Sequence, residues 1–258
     1  MRYYIVDAFT DRLFSGNQAG VCILETWPED ATMQDIAAEN NLSETAFAAH
    51  DGAHYKLRWF TPATEIELCG HATLATAFVL ANFVEPEAAE FEFHTLSGPL
   101  FVRRNGDLFE LNFPVRAQQE TEVTAQMRRA VDKLVVSAYA GYNLMLELED
   151  ENAVRDLVPD IEAIRDLRDY HGVIATARGS DCDFVSRFFA PNVGVDEDPV
   201  TGSTHTSLVP FWAARLGREE LTARQLSKRG GMLYCRYAGD RVHISGHARL
   251  YLTGEIHL

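Results

Sequence analysis

The chain is predicted to fold as a mixed α and β protein built from two similar halves. Three observations predict this. Gly98-Pro-Leu-Phe-Val-Arg-Arg-Asn-Gly-Asp107 and Gly231-Met-Leu-Tyr-Cys-Arg-Tyr-Ala-Gly-Asp240 share Gly, Leu, Arg, Gly and Asp at one constant offset of 133. Arg58-Trp-Phe-Thr-Pro62 resembles Arg187-Phe-Phe-Ala-Pro191 at an offset of 129. Each of the latter is followed by an acidic loop, a glycine (Gly70, Gly202) and an apolar helical run. A shared order at a nearly shared offset is the mark of a duplicated unit.

Each element follows from its local pattern. Residues 2–9 and 19–24 read as strands. Thr32 to Asn41 has amphipathic helical spacing through Met33, Ile36 and Ala37, with Asp30 or Thr32 as candidate caps. Ala72 to Ala81 is apolar almost all round, so it is predicted to be buried. Asn-Gly-Asp at 105–107 and Ala-Gly-Asp at 238–240 sit between β-rich runs and predict hairpin turns. Asn152 to Leu167 is a polar helical connection interrupted by Pro159. The second helical run starts at Gly202 and stops at Gly217. The polar stretch 115–130 marks the boundary between a half spanning 1–116 and one spanning 117–258, with room for N-terminal strand contributions to cross over.

The 258 residues suit one large domain or two small ones. Net charge is −15, which disfavours nucleic acid and anionic membrane as partners but leaves room for a small anionic substrate held by local donors. No stretch is long and apolar enough to span a bilayer. Cys22, Cys69, Cys182 and Cys235 form no C-x-x-C pair, and no secretion signal opens the chain, so a reducing cytoplasm is the expected location. No nucleotide-binding glycine loop or hydrolase elbow is present, and His243 with His247 lies on a strand-like run. No cofactor or metal is expected.

Three segments put ionisable or hydroxyl groups beside small residues: Asn41-Leu-Ser-Glu-Thr45, Cys69-Gly-His-Ala-Thr73 and Glu197-Asp-Pro-Val-Thr-Gly-Ser203. Both apolar helices open at a glycine inside such a segment, Gly70 and Gly202. Helix N-termini attract anions. If a pseudo-twofold related the halves, the two N-termini would face one carboxylate-binding cleft.

These segments, in this order, with Val6-Asp-Ala-Phe9 and Gly16-Asn17 near the start, resemble the signatures of PhzF-like (phenazine-biosynthesis-like) isomerases. The resemblance implies an α+β fold of two pseudo-symmetric halves, each a curled, mostly antiparallel sheet around a central helix, as in diaminopimelate epimerase. It implies Glu44 as general acid/base, moving a proton and with it a double bond on a small carboxylate-bearing substrate. It further implies His71 and Asp198 as assisting catalytic groups, Ser43, Gly70, Gly202 and Ser203 as substrate-binding groups, and a homodimer. Epimerases of that fold use one cysteine from each half. Cys69 matches the first, but the second falls at Pro199, so a two-base racemase is disfavoured. Two alternatives stay open: amino-acid epimerisation or hydroxyproline dehydration through Cys69, and a non-catalytic ligand-binding homologue.

Overall fold

Strand and helix signals in the first part of the chain resolve into β1 (Arg2–Ala8), β2 (Asn17–Leu24), α1 (Asp30–Asn40), β3 (Glu44–Asp51), β4 (His54–Phe60), β5 (Glu65–Ile66), α2 (Gly70–Phe83), β6 (Glu90–Thr95), β7 (Gly98–Asn105) and β8 (Leu108–Pro114). The computed structural model describes all 258 residues and divides them into two units: Met1–Asn112 with Ser245–Leu258, and Phe113–Ile244. In the first unit β1 and β2 pair antiparallel, β2 and β3 parallel, β3–β4 and β4–β5 antiparallel, β4–β6 parallel, and β6–β7 antiparallel.

Helix α2 contacts β1, β2, β3 and β7. Gly70 through Ala77 are buried without a break, as an all-round apolar helix requires. Its two inner hydroxyls are satisfied within the helix: Thr73 Oγ1 donates to the Cys69 carbonyl at 2.5 Å and Thr76 Oγ1 to that of Ala72 at 2.7 Å. Helix α1 buries Met33, Ile36 and Ala37, the face its spacing predicts. Its N-cap is Glu29, with no side-chain cap bond, so neither Asp30 nor Thr32 caps it. Both instead lie inside the first turn.

The second unit contains β9 (Gln119–Thr121), α3 (Ala125–Val131), β10 (Val135–Ala140), β11 (Leu144–Leu148), α4 (Glu151–Arg155), α5 (Ile161–Arg165), β12 (Val173–Arg178), β13 (Phe184–Ala190), β14 (Val195–Asp198), α6 (His205–Leu216), β15 (Glu220–Gln225), β16 (Gly231–Ala238) and β17 (Arg241–Gly246). The predicted connection with Pro159 is the pair α4 and α5, broken around that proline. From β10 to β16 the pairings run antiparallel, parallel, antiparallel, antiparallel, parallel, antiparallel. That is the series found from β1 to β7, so the sequence repeat is also a repeat of strand pairing. Helix α6 packs on β15 and β16, and Trp212 on it donates to Thr176 Oγ1 at 3.0 Å.

Both repeated turns are hairpin turns. Gly106 (φ 62°) lies between β7 and β8, and Gly239 (φ 71°) between β16 and β17. Left-handed backbone of this kind costs an L side chain about 1–2 kcal/mol, which glycine avoids.

One boundary differs from the sequence division. The last strand, β18 (Ala248–Glu255), pairs antiparallel with β1 from Ala8↔Ala248 to Arg2↔Glu255. Residues 245–258 therefore belong to the first unit, not to the half assigned to 117–258. The backbone ladder along β1 decides this, and no local pattern encodes it.

Candidate active site

In the first unit the site is built by three short segments. Asn41 closes α1 in the left-handed region (φ 48°), a conformation asparagine tolerates, and the chain then delivers Glu44 as the first residue of β3. Gly16 (φ 70°) sits so close to Ala8 that an added Cβ would lie 2.2 Å from its carbonyl oxygen. Only glycine fits, and Asn17 follows as the first residue of β2. Cys69, in extended backbone, precedes α2 as its N-cap, and His71 lies in the helix's first turn.

These segments bring Glu44, His71, Cys69, Asn17 and Ser43 together. Glu44 Oε2 lies 3.0 Å from His71 Nε2, with the side chains 15% and 6% exposed. Neither atom completes a hydrogen bond within the chain, so this buried pair keeps unspent hydrogen-bonding capacity. On the other ring nitrogen, His71 Nδ1 meets Cys69 Sγ at 3.5 Å and Asn17 Nδ2 at 3.2 Å. Ser43 Oγ donates to Asn17 Oδ1 at 3.3 Å, so Ser43 steadies the residue that touches the imidazole. Gly70 is the buried first residue of α2.

The electrostatics follow from this packing. Burial alone would lower the His71 pKa, but Cys69 and Glu44 beside the ring outweigh it and hold it well above its usual value. Burial raises the Cys69 thiol, and the Glu44 charge raises it further. One donor atom from each of Glu44, Cys69 and His71 lies within 4.8 Å of the others, a cation-binding combination by donor type. However, the thiol sits on Nδ1 and the carboxylate on Nε2. A single ion takes one ring nitrogen, so the arrangement fits proton exchange better than coordination.

In the second unit, Asp198 ends β14 and the backbone then turns through Gly202–Thr204, a short 3-10 turn, into α6. The helix proper thus begins at His205, not at the Gly202 start the sequence suggested, because this turn takes the first three residues. Thr201 Oγ1 donates to Asp198 Oδ2 in a short hydrogen bond. The Thr201 carbonyl accepts from Thr204 Oγ1 at 2.9 Å and faces His205 Nδ1 at 2.8 Å. Fully buried His205 is pushed down to about 4 by burial, against the opposing pull of the Thr201 carbonyl. Nδ1 is therefore the protonated nitrogen of a neutral ring. The Ser203 carbonyl accepts from Thr206 Oγ1 at 2.6 Å, and Gly202 is buried.

The sequence reading missed Thr201 and Gln225. Gln225 ends β15, is 1% exposed, and accepts from the Thr201 N–H at 2.9 Å. It lies 24 residues from Thr201, and no sequence pattern links them. Asn17 was noted only as part of the opening motif. Its contact with His71 spans 54 residues.

Comparison with known proteins agrees with this picture. Residues 6–254 match the family model described as phenazine biosynthesis-like protein. An uncharacterized isomerase of Pseudomonas aeruginosa is 48% identical over 259 residues, covering 100% of this chain and 99% of that protein. The crystal structure of a PhzF-family phenazine biosynthesis protein from Enterococcus faecalis superposes with a TM-score of 0.98 at 46% identity, covering 100% of this chain and 99% of that one. A probable proline racemase from Agrobacterium radiobacter, at 10% identity and a TM-score of 0.69, shares the fold alone. The α+β architecture, the paired series of strands and the three signature segments thus meet in one conclusion: the chain belongs to the phenazine biosynthesis-like (PhzF) family of isomerases.

Proposed function

We propose that the protein catalyses a cofactor-independent proton shift on a small carboxylate-bearing molecule. The observation that carries this is the Glu44–His71 pair: a carboxylate and an imidazole 3.0 Å apart, buried, with their facing atoms short of hydrogen bonds. Glu44 takes a proton from one carbon, and the C–H pair moves into a new double bond. The old double bond shifts its pair to a second carbon, which receives the proton back. Between the two transfers Glu44 holds the proton and the substrate carries the negative charge, which the raised imidazole beside Glu44 offsets. A positioned acid/base of this kind typically contributes 10²–10⁴-fold. Asp198 orients the substrate, and Gly202 with Ser203 holds its carboxylate.

The test is deuterium incorporation in heavy water, read by mass spectrometry. The wild type and Glu44→Gln are incubated with a panel of cyclic and amino-acid carboxylates, dihydro-hydroxyanthranilate among them. Label entering one compound with the wild type, and falling at least about 100-fold with Glu44→Gln, supports the reading. An exchanging compound unaffected by Glu44→Gln overturns it.

The 3.5 Å contact of Cys69 Sγ with His71 Nδ1 favours a second reading, in which the thiol is the acid/base of an epimerisation. Under that reading Cys69→Ala abolishes exchange. Under the first, Cys69→Ala retains it.

A further inference from the structure

We propose that Gln225 is a positioning residue that fixes Asp198 as a hydrogen-bond acceptor. The inference lies within the second unit and extends the role given to Asp198 above.

Donor polarity sets the direction of the network. The Gln225 amide has one acceptor oxygen and two N–H donors. Its Oε1 faces the Thr201 backbone N–H at 2.9 Å, and a backbone N–H can only donate. That contact fixes which end of the amide is oxygen. Nε2 therefore points its hydrogens at the Asp198 carbonyl, 2.8 Å away, and at Thr201 Oγ1, 3.2 Å away. Thr201 Oγ1 receives a hydrogen from Gln225, so its own hydrogen goes to Asp198 Oδ2. The chain Gln225 to Thr201 to Asp198 runs in one direction and ends on a carboxylate oxygen.

Nothing in this network is loose. Gln225 is 1% exposed and Thr201 8%. The segment is tied down again next door, where Ser227 Oγ donates to the Pro199 carbonyl at 2.8 Å and accepts from the Gly230 N–H at 3.0 Å. A hydroxyl aimed at a carboxylate favours its ionised form. On the function proposed above, Asp198 then meets a substrate group that donates, such as an amine or a hydroxyl, and does not itself serve as an acid.

The test needs no substrate, so its outcome is independent of the proton-shift reading. Protein labelled with ¹³C at the aspartate carboxyls is titrated by NMR, and the Asp198 resonance is assigned by its loss in Asp198→Asn. Thr201→Val removes the terminal donor, Gln225→Leu removes the group that orients it, and Gln225→Glu offers the Thr201 hydroxyl a competing acceptor. The expected result is an Asp198 midpoint raised by about half a pH unit or more in all three, largest in Gln225→Glu. In the two uncharged variants a merely structural role would lower the melting temperature and leave the Asp198 midpoint alone. An unmoved midpoint in folded Gln225→Leu and Gln225→Glu overturns the proposal. If Gln225→Leu does not fold, Gln225→Glu and Thr201→Val decide it: a shift in Thr201→Val with none in Gln225→Glu also overturns it.

Discussion

Arg187 grips Glu197 with two prongs, Nε to Oε1 at 2.7 Å and Nη2 to Oε2 at 2.9 Å, and so anchors the residue next to Asp198. Arg58 grips Glu65 in the same way, both prongs at 2.7 Å, at the equivalent place in the first unit. The duplication thus extends to a side-chain pair. The copies have diverged in their surroundings. The Arg187 Nη1 also donates to the carbonyls of Val154, Arg155 and Leu157 around the end of α4, whereas that of Arg58 reaches exposed Asp30.

The two pairs are therefore expected to differ in worth. Arg187→Met leaves three carbonyls and a carboxylate without their donor, at a cost of about 3 kcal/mol. Arg58→Met breaks a wetter pair and costs about 1 kcal/mol. Urea unfolding of both variants checks the order, and equal losses would contradict it.

Gly16→Ala tests the turn that presents Asn17. The new Cβ would lie 2.2 Å from the Ala8 carbonyl on a left-handed backbone. Strain and displacement together are expected to cost about 3 kcal/mol. Deuterium exchange should fall along with stability, since Asn17 touches His71. Thermal melting and exchange measured on the same preparation are the check.

The Glu44–His71 pair makes a signed prediction for pH. The folded His71 pKa is raised, so the folded state holds that proton more tightly than the unfolded chain. The stabilisation is complete below about 6.5, the ordinary histidine value, and is lost as pH climbs through the folded value. Glu44→Gln removes one raising influence. The stability difference between wild type and Glu44→Gln should shrink as pH rises above that value. Calorimetry of both proteins from pH 6 to 9 reads it, and a constant difference would refute the pairing.

His205 has the opposite sign. Its pKa is depressed to about 4, so the unfolded chain takes up a proton that the folded protein refuses. Stability should decline from about pH 6.5 towards 4 by at most about 3 kcal/mol from this group. His205→Gln, if folded, should flatten that limb. A denaturation series at pH 4.5, 5.5 and 6.5 distinguishes the two slopes.

What the sequence revealed and what it concealed divide along contact range. Helices α1 and α2, the hairpin glycines Gly106 and Gly239, and the break at Pro159 follow from periodicity and local backbone preference, so they were legible. Glu44 and His71 stood out through their motifs. Asn17 and Gln225 act through contacts spanning 54 and 24 residues, and a single polar residue carries no sign of its partner. The start of α6 was misplaced because a 3-10 turn and an α-helix share the same glycine signal. The return of β18 to β1 rests on backbone hydrogen bonds, which side-chain pattern does not record.

That return sets an order of events for folding. The second unit is one continuous stretch, Phe113–Ile244, and its strands β9 to β16 all exist before β18 is made. The first unit waits for β18, whose pairing with β1 reaches across most of the chain. During synthesis, which proceeds at about 5–20 residues per second, the segment made first is the last to be finished. Until then β1 has an unpaired edge, the kind of surface on which chains join one another. The interval in which a nascent chain is exposed to misassembly is thus fixed by where its closing strand lies in the sequence, and not by the stability of the finished fold.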